Sequence, residues 1–169
     1  AFSMLPEKIQ ERCRLEVFGT GAHHHPREFQ ERLASAFKNA HENVRNSGPY
    51  SPAQQAAILG SADWVVVPST WWENAPLVIQ EAFYHGRPVI CSNIGGMAEK
   101  VRDRVDGLHF QAGSAASLAD AMLEAATTPG YWDKLAQGIV PTVAKEQAAR
   151  EHLALYRGLA GTAEKAAVS

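Results

Sequence analysis

Two carboxylates and the turn between them carry the chemistry that this sequence permits. Glu73 and Glu81 both fall in the stretch Trp64–Glu81, WVVVPSTWWENAPLVIQE. A helix is expected from Pro76 to His85, with proline suited to the first helical position and Gly86 suited to a left-handed stop. Pro76, Leu77, Val78, Ile79, Ala82, Phe83 and Tyr84 leave little of its circumference polar, so the helix is expected to be largely buried. Glu81 would then need hydrogen-bond donors, which the two hydroxyls of a ribose would supply and which an arginine such as Arg87 would supply equally well. Glu73 lies near the positive end of the helix dipole. The N–H groups of Asn74, Ala75, Leu77 and Val78 precede the first intrahelical bonds and are free to meet an anion. Together these residues describe a site for a ligand that carries phosphate and hydroxyls, in competition with a plain structural ion pair.

The elements that must position this site can be read in chain order. Trp64–Val67 is an apolar, β-rich run ended by Pro68, as expected of a strand covered on both faces of a parallel sheet. Pro88–Cys91 reads the same way. Earlier in the chain, a helical fragment ends near Arg14 and passes into the strand Leu15–Gly19. The turn Gly19, Thr20, Gly21 and three histidines lead to a helix from Pro26, in which Phe29, Leu33 and Phe37 share one face. A weak strand at Asn43–Asn46 and the turn Ser47, Gly48, Pro49 precede Ser51, Pro52 and Gln54, a capping box that opens the helix Pro52–Ser61. After the central stretch, SNIGGMAE turns through paired glycines into a helix with Ile94, Met97 and Val101. The strand Leu108–Phe110 follows, then helices at Ser117–Ala126, Pro129–Ala136 and Pro141–Leu159, the last with Val143, Leu153, Leu155 and Tyr156 available for burial. The tail Gly161–Ser169 is expected to fray. This alternation predicts an α/β domain, a parallel sheet wound with helices on both faces, and a ligand site at the carboxyl edge of its strands.

Composition narrows the partners. The 169 residues carry a formal charge of −2, with 16 basic and 18 acidic side chains intermixed, so there is no basic stripe for nucleic acid. Cys13 and Cys91 are too few for a disulfide framework, and a reducing, cytoplasmic setting is expected. No apolar run reaches the roughly 20 residues of a membrane span, so a soluble protein is expected, with peripheral membrane contact left open. His23, His24 and His25 should point in different directions from a solvated turn, with no metal site expected. Gly19 and Gly21 start a dinucleotide fingerprint that lacks its third glycine. Trp71 and Trp72 would either stack a sugar or base or pack the loop.

LEVFGTG, SGPY followed by AILGSADWVVVPS, ENAPLVIQEAFYHGRPVICS, SNIGGMAE, DGLHF and LALYRGL together resemble the C-terminal domain of retaining GT-B glycosyltransferases, from about Leu15 to Leu159. The glutamate pair followed by GRPVI and GG-x-x-E is the specific part. The resemblance implies a Rossmann-like parallel sheet, the C-terminal half of a GT-B fold, with the family's first strand outside this sequence and its neighbours exposed at mid-sheet or paired with another copy. It implies a donor-binding domain over residues 1–160 and a flexible tail over 161–169. Glu81 would bind the ribose hydroxyls of a nucleotide-diphosphate sugar. Glu73 would contact the transferred sugar and support charge at its anomeric carbon. Asn74, Ala75, Leu77 and Val78 would offer backbone amides to the diphosphate, with Pro76 having no N–H to give.

Gly48, Pro49 and Tyr50 would lie by the base, and Gly95 and Gly96 would let the backbone approach the donor sugar. Glu99 is expected to cap or pair rather than catalyse. The implied reaction is hexosyl transfer to a glycan, lipid or small-molecule acceptor. It proceeds with retention of anomeric configuration and with neither metal nor other cofactor, in keeping with the lack of an Asp-x-Asp pair. The family's Arg/Lys pair and acceptor-binding domain fall outside the sequence, so this chain alone is expected to bind donor weakly and to be inactive. The rival readings are a non-catalytic nucleotide-sugar binding or assembly module and a nucleotide-sugar epimerase of the same fold.

Overall fold

A computed structural model describes residues 1–19, 21–140 and 145–167, with the side chains of 145–146 and 160–167 outside the description. A 3-10 turn at Phe2–Met4 and helix α1 (Glu7–Arg12) lead into β1 (Leu15–Phe18). A 3-10 turn at Ala22–His24 and helix α2 (Arg27–Lys38) follow, then β2 (Val44–Gly48), α3 (Pro52–Ser61) and β3 (Val65–Val67). The second half runs α4 (Leu77–Tyr84), β4 (Val89–Ser92), α5 (Gly95–Lys100), β5 (Gly107–Phe110), α6 (Ala115–Thr127), α7 (Tyr131–Gly138) and α8 (Lys145–Ala167).

All paired strands are parallel, which confirms the α/β, Rossmann-like class. They fall into two ladders, β1-β2 and β3-β4-β5. Among the described residues no strand joins the two ladders. In the second ladder Val65, Val66 and Val67 pair with Val89, Ile90 and Cys91, and β4 pairs in turn with Gly107–Phe110.

The continuous apolar run of β4 is explained by its two faces. Val89 and Cys91 pack with Val67, Ile79, Ala82, Met97 and Val101 on one side. Ile90 packs with Leu108, Phe110, Ala121, Tyr131 and Leu135 on the other. Pleat alternation therefore sends successive side chains into separate apolar layers, and only Ser92, at the end of the strand, is polar.

Several boundaries move. Ser51 and Gln54 form the expected capping box, with the Ser51 N–H donating to Gln54 Oε1 at 2.9 Å. Pro76 is the residue before α4 rather than its first residue, and Gly86 takes the left-handed stop at φ +66°. The expected burial of α4 is corrected: Ile79 and Ala82 are fully buried, while Leu77 and Tyr84 are 68% and 71% exposed. One face is enough to seal the sheet, so the opposite face of this apolar helix stays in solvent. Leu153, Leu155 and Tyr156 of α8 are also more than half exposed, against the expectation of burial. Val143 lies outside the described residues. The stretch expected as a tail is helical as far as Ala167.

Candidate active site

The loop from Pro68 to Pro76 joins β3 to α4 and holds Glu73 at the mouth of that helix. Ser69 organises it: the Trp71 N–H donates to Ser69 Oγ at 3.2 Å, and the Ser69 hydroxyl donates to Glu73 Oε1 at 3.3 Å. The Glu73 N–H donates to the Trp71 carbonyl at 2.9 Å, and the Glu73 carbonyl accepts from the Gly96 N–H at 2.5 Å. Sequence reading assigned Ser69 no role. Its signal was the hydroxyl side chain following Pro68, a position suited to local side-chain-to-backbone bonds.

Gly95 and Gly96 approach this loop rather than open space. A Cβ on Gly96 would stand 1.9 Å from the Asn74 carbonyl oxygen, and one on Gly95 would stand 2.9 Å from that of Glu73 and 3.2 Å from Trp72 Cα. Gly95 is also left-handed, at φ +53°. The paired glycines thus let the first turn of α5 dock directly on the backbone of Trp72–Asn74, which fixes the loop beside the start of α4. No side chain bigger than hydrogen fits there.

At that start, the backbone N–H groups of Asn74 and Ala75, just before the helix, and of Leu77 and Val78, in its first turn, make no hydrogen bond among the described residues. One turn on, Glu81 is half-buried. Among the described residues no side chain pairs with its carboxylate, and Arg87 is engaged elsewhere: its Nη2 donates to the Gly60 carbonyl at 2.8 Å, and its guanidinium lies 5.8 Å from the Trp132 ring centre. The Glu81–Arg87 ion pair is therefore not formed. Nearby, at the end of β4, Ser92 Oγ is fully buried without a hydrogen-bond partner among the described residues.

The other predicted residues gather at the end of β2. Gly48 closes the strand at φ +67°, and Tyr50 rests edge-on against Phe18 with ring centres 5.8 Å apart. Pro49 lines a cavity of about 460 Å³ together with Gly19, Gly21, His23, His25 and Phe29. Glycine and histidine positions that looked like a partial fingerprint or a plain loop thus belong to one hollow. The histidines do not simply diverge: His23 and His24 ring centres are 4.0 Å apart, and His25 lies 4.6 Å from Phe29. Among the described residues no three metal-ligating side chains gather. Glu99 is exposed and neither caps nor pairs among the described residues. Cys91 is buried, and desolvation pushes its thiol up to about 12.

The family described as Glycosyl transferases group 1 matches residues 1–139. Phosphatidyl-myo-inositol mannosyltransferase of Mycobacterium leprae is 33% identical over 94 residues, which cover 56% of this chain and 25% of that protein. Among solved structures, sucrose-phosphate synthase of Thermosynechococcus elongatus aligns with a TM-score of 0.72 at 25% identity, over 88% of this chain and 39% of that one. Anabaena Alr3699/HepE, in complex with UDP and glucose, aligns with a TM-score of 0.68 at 18% identity, over 94% of this chain and 43% of that one. The chain spans about a quarter of the length of the curated relatives it matches.

Proposed function

The chain belongs to the glycosyl transferases group 1 family, and on that premise we propose that it is the donor-binding domain of a sugar transferase that uses a nucleotide-diphosphate sugar. One observation carries the reading: Glu81, half-buried and without a donor among the described residues, stands one helical turn past a row of free backbone N–H groups. A diphosphate on that row and a ribose on Glu81 would satisfy both ends at once, since anions suit helix N-termini and a half-buried carboxylate gains from donors that replace its lost water. The base then lies by Gly48, Pro49 and Tyr50, toward the cavity at the end of β2.

Glu73 meets the transferred sugar. Its carboxylate, oriented by Ser69, supports the positive charge that grows at the anomeric carbon as the bond to the diphosphate breaks. The acceptor hydroxyl attacks from the same face, and its proton passes to the departing phosphate oxygen, so configuration is retained. The scheme uses no metal, because the helix N-terminus, together with the Arg/Lys pair that the resemblance implies, would balance the diphosphate. The setting is cytoplasmic, where nucleotide sugars are held.

Calorimetric titration tests the site. UDP-glucose is the first donor, followed by GDP- and ADP-sugars, each against wild type, Glu81→Ala and Glu73→Ala. Loss of a charged hydrogen bond should weaken nucleotide binding roughly tenfold or more in Glu81→Ala, whereas Glu73→Ala should weaken UDP-glucose but leave UDP unchanged. Equal affinity of wild type and Glu81→Ala for every nucleotide would remove the ribose assignment. A wild-type chain that binds no nucleotide would favour a module without donor chemistry.

A further inference from the structure

We infer that Ser69 is a positioning residue with two effects on Glu73. Its hydroxyl keeps the Glu73 carboxylate offered to the sugar, and it keeps that carboxylate off the free N–H groups before α4, which the carboxylate would otherwise cap itself. That the held carboxylate meets a sugar rests on the donor reading; the hold itself rests on the loop alone.

The backbone of Glu73 is fixed without help from Ser69. Its N–H donates to the Trp71 carbonyl at 2.9 Å, and its carbonyl accepts from the Gly96 N–H at 2.5 Å. The side chain is less constrained. Among the described residues its carboxylate forms no ion pair, and it takes one hydrogen bond, from the Ser69 hydroxyl to Oε1 at 3.3 Å. The rings of Trp71 and Trp72 do not pack the loop, being 74% and 72% exposed. The Ser69 hydroxyl has one proton and two acceptors, Glu73 Oε1 and the Trp71 carbonyl at 3.5 Å. The carboxylate is nearer and charged, and the carbonyl already accepts from the Glu73 N–H, so the proton goes to Glu73. The Trp71 N–H, donating to Ser69 Oγ at 3.2 Å, sets the hydroxyl in place.

A half-buried carboxylate held by one neutral donor has a competing place to go. Asn74 and Ala75 are the next two residues in the chain, their N–H groups are free, and the positive end of the α4 dipole follows. Side-chain oxygens readily cap such groups. A Glu73 carboxylate turned that way would occupy N–H groups that the diphosphate needs, so the chain would block its own anion site. Ser69 supplies the bond that holds Glu73 away from them, and Glu73 Oε2, without a partner among the described residues, is left to accept from a sugar hydroxyl.

Two measurements on the full chain test this, each across wild type, Ser69→Ala, Ser69→Thr and Ser69→Ala/Glu73→Ala. The first needs no ligand. Hydrogen exchange of the Asn74 and Ala75 amides should slow roughly fivefold in Ser69→Ala, as the released carboxylate caps them, and return to the wild-type rate in the double variant. Ser69→Thr, which keeps the hydroxyl, should exchange as wild type does. The second is calorimetric titration. UDP affinity should fall roughly fivefold in Ser69→Ala, because only the uncapped fraction binds, and recover to within about twofold of wild type in the double variant. UDP-glucose affinity should fall in both, since each loses the aimed carboxylate. A loss of UDP affinity that the double variant does not restore would mean that Ser69 only shapes the loop, and would overturn the positioning role. Ser69→Ala amides that exchange at the wild-type rate would overturn it as well. Slowed amides in Ser69→Ala, with no UDP binding by wild type, would remove the donor reading and leave the hold of Ser69 on Glu73 standing.

Discussion

The ladder β3-β4-β5 and the pair β1-β2 are both parallel and both carry helices, yet they pack to different depths. Around β4, Ile79, Ala82, Val89, Cys91, Met97 and Val101 all reach full or near-full burial. Against β1-β2, helix α2 has no buried residue, Phe29 is 43% exposed, and a cavity of about 460 Å³ opens between helix and strands. The contrast suits the proposed function. Under that proposal Glu73 and the first turn of α4 would hold a reacting centre within a fraction of an ångström, which calls for a close-packed support. A base pocket would need room, and the looser half has it.

Gly96→Val should show the largest effect on this contrast. The new side chain has no space beside the Asn74 carbonyl, so the loop must leave α5. A cost of about 3 kcal/mol or more in urea unfolding is expected, together with loss of UDP-glucose binding. A near-neutral Gly96→Val would mean that the backbone contact does not fix the loop.

Paired truncations give the next test. Met97→Ala, in the tight half, should cost about 2–5 kcal/mol, whereas Phe37→Ala at the cavity wall should cost less than about half as much. Native-state hydrogen exchange should rank the halves the same way, with β4 amides slowest. If Phe37→Ala proves as costly as Met97→Ala, then the β1-β2 half is not the looser one.

The smallest effect concerns Cys91. Its thiol, held up to about 12 by burial against an ordinary value of 9.0, keeps its proton in the folded chain where the unfolded chain has lost it. The stability this gives is fully present below about pH 9 and declines as pH rises toward 12, by at most about 1.4 kcal/mol per pH unit. Chemical denaturation between neutral pH and about pH 10 should show that decline, and Cys91→Ala should flatten it. A slope unchanged by Cys91→Ala would assign the alkaline loss to other groups.

Much of the fold was legible because it is written in short patterns. The runs Trp64–Val67 and Pro88–Cys91 read as strands covered on both faces, with β3 itself starting at Val65, and Ser51-Pro52-Gln54 marks a helix start by local bonds alone. The central glutamates were legible for the same reason, since a helix start and a carboxylate one turn on are features of a single segment. The exposed face of α4 was not legible, because its apolar residues surround the whole helix and only the neighbours decide which of them are covered. Ser69 was missed because its partner Glu73 is brought to it by a bend in the loop rather than by helical spacing.

The sequence by itself determined the order of strands and helices, their parallel pairing and the place of Glu73 and Glu81 on one strand, loop and helix. All of these follow from periodicity, caps and turn residues within a few positions of one another. Tertiary structure alone decided that Gly95 and Gly96 clamp the Trp72–Asn74 backbone, and that Arg87 turns to Gly60 and Trp132 instead of Glu81. It also decided that two of the four tryptophans face solvent. These depend on atoms brought together from distant parts of the chain, where excluded volume and the competition for hydrogen-bond partners choose among pairings that local sequence leaves equal.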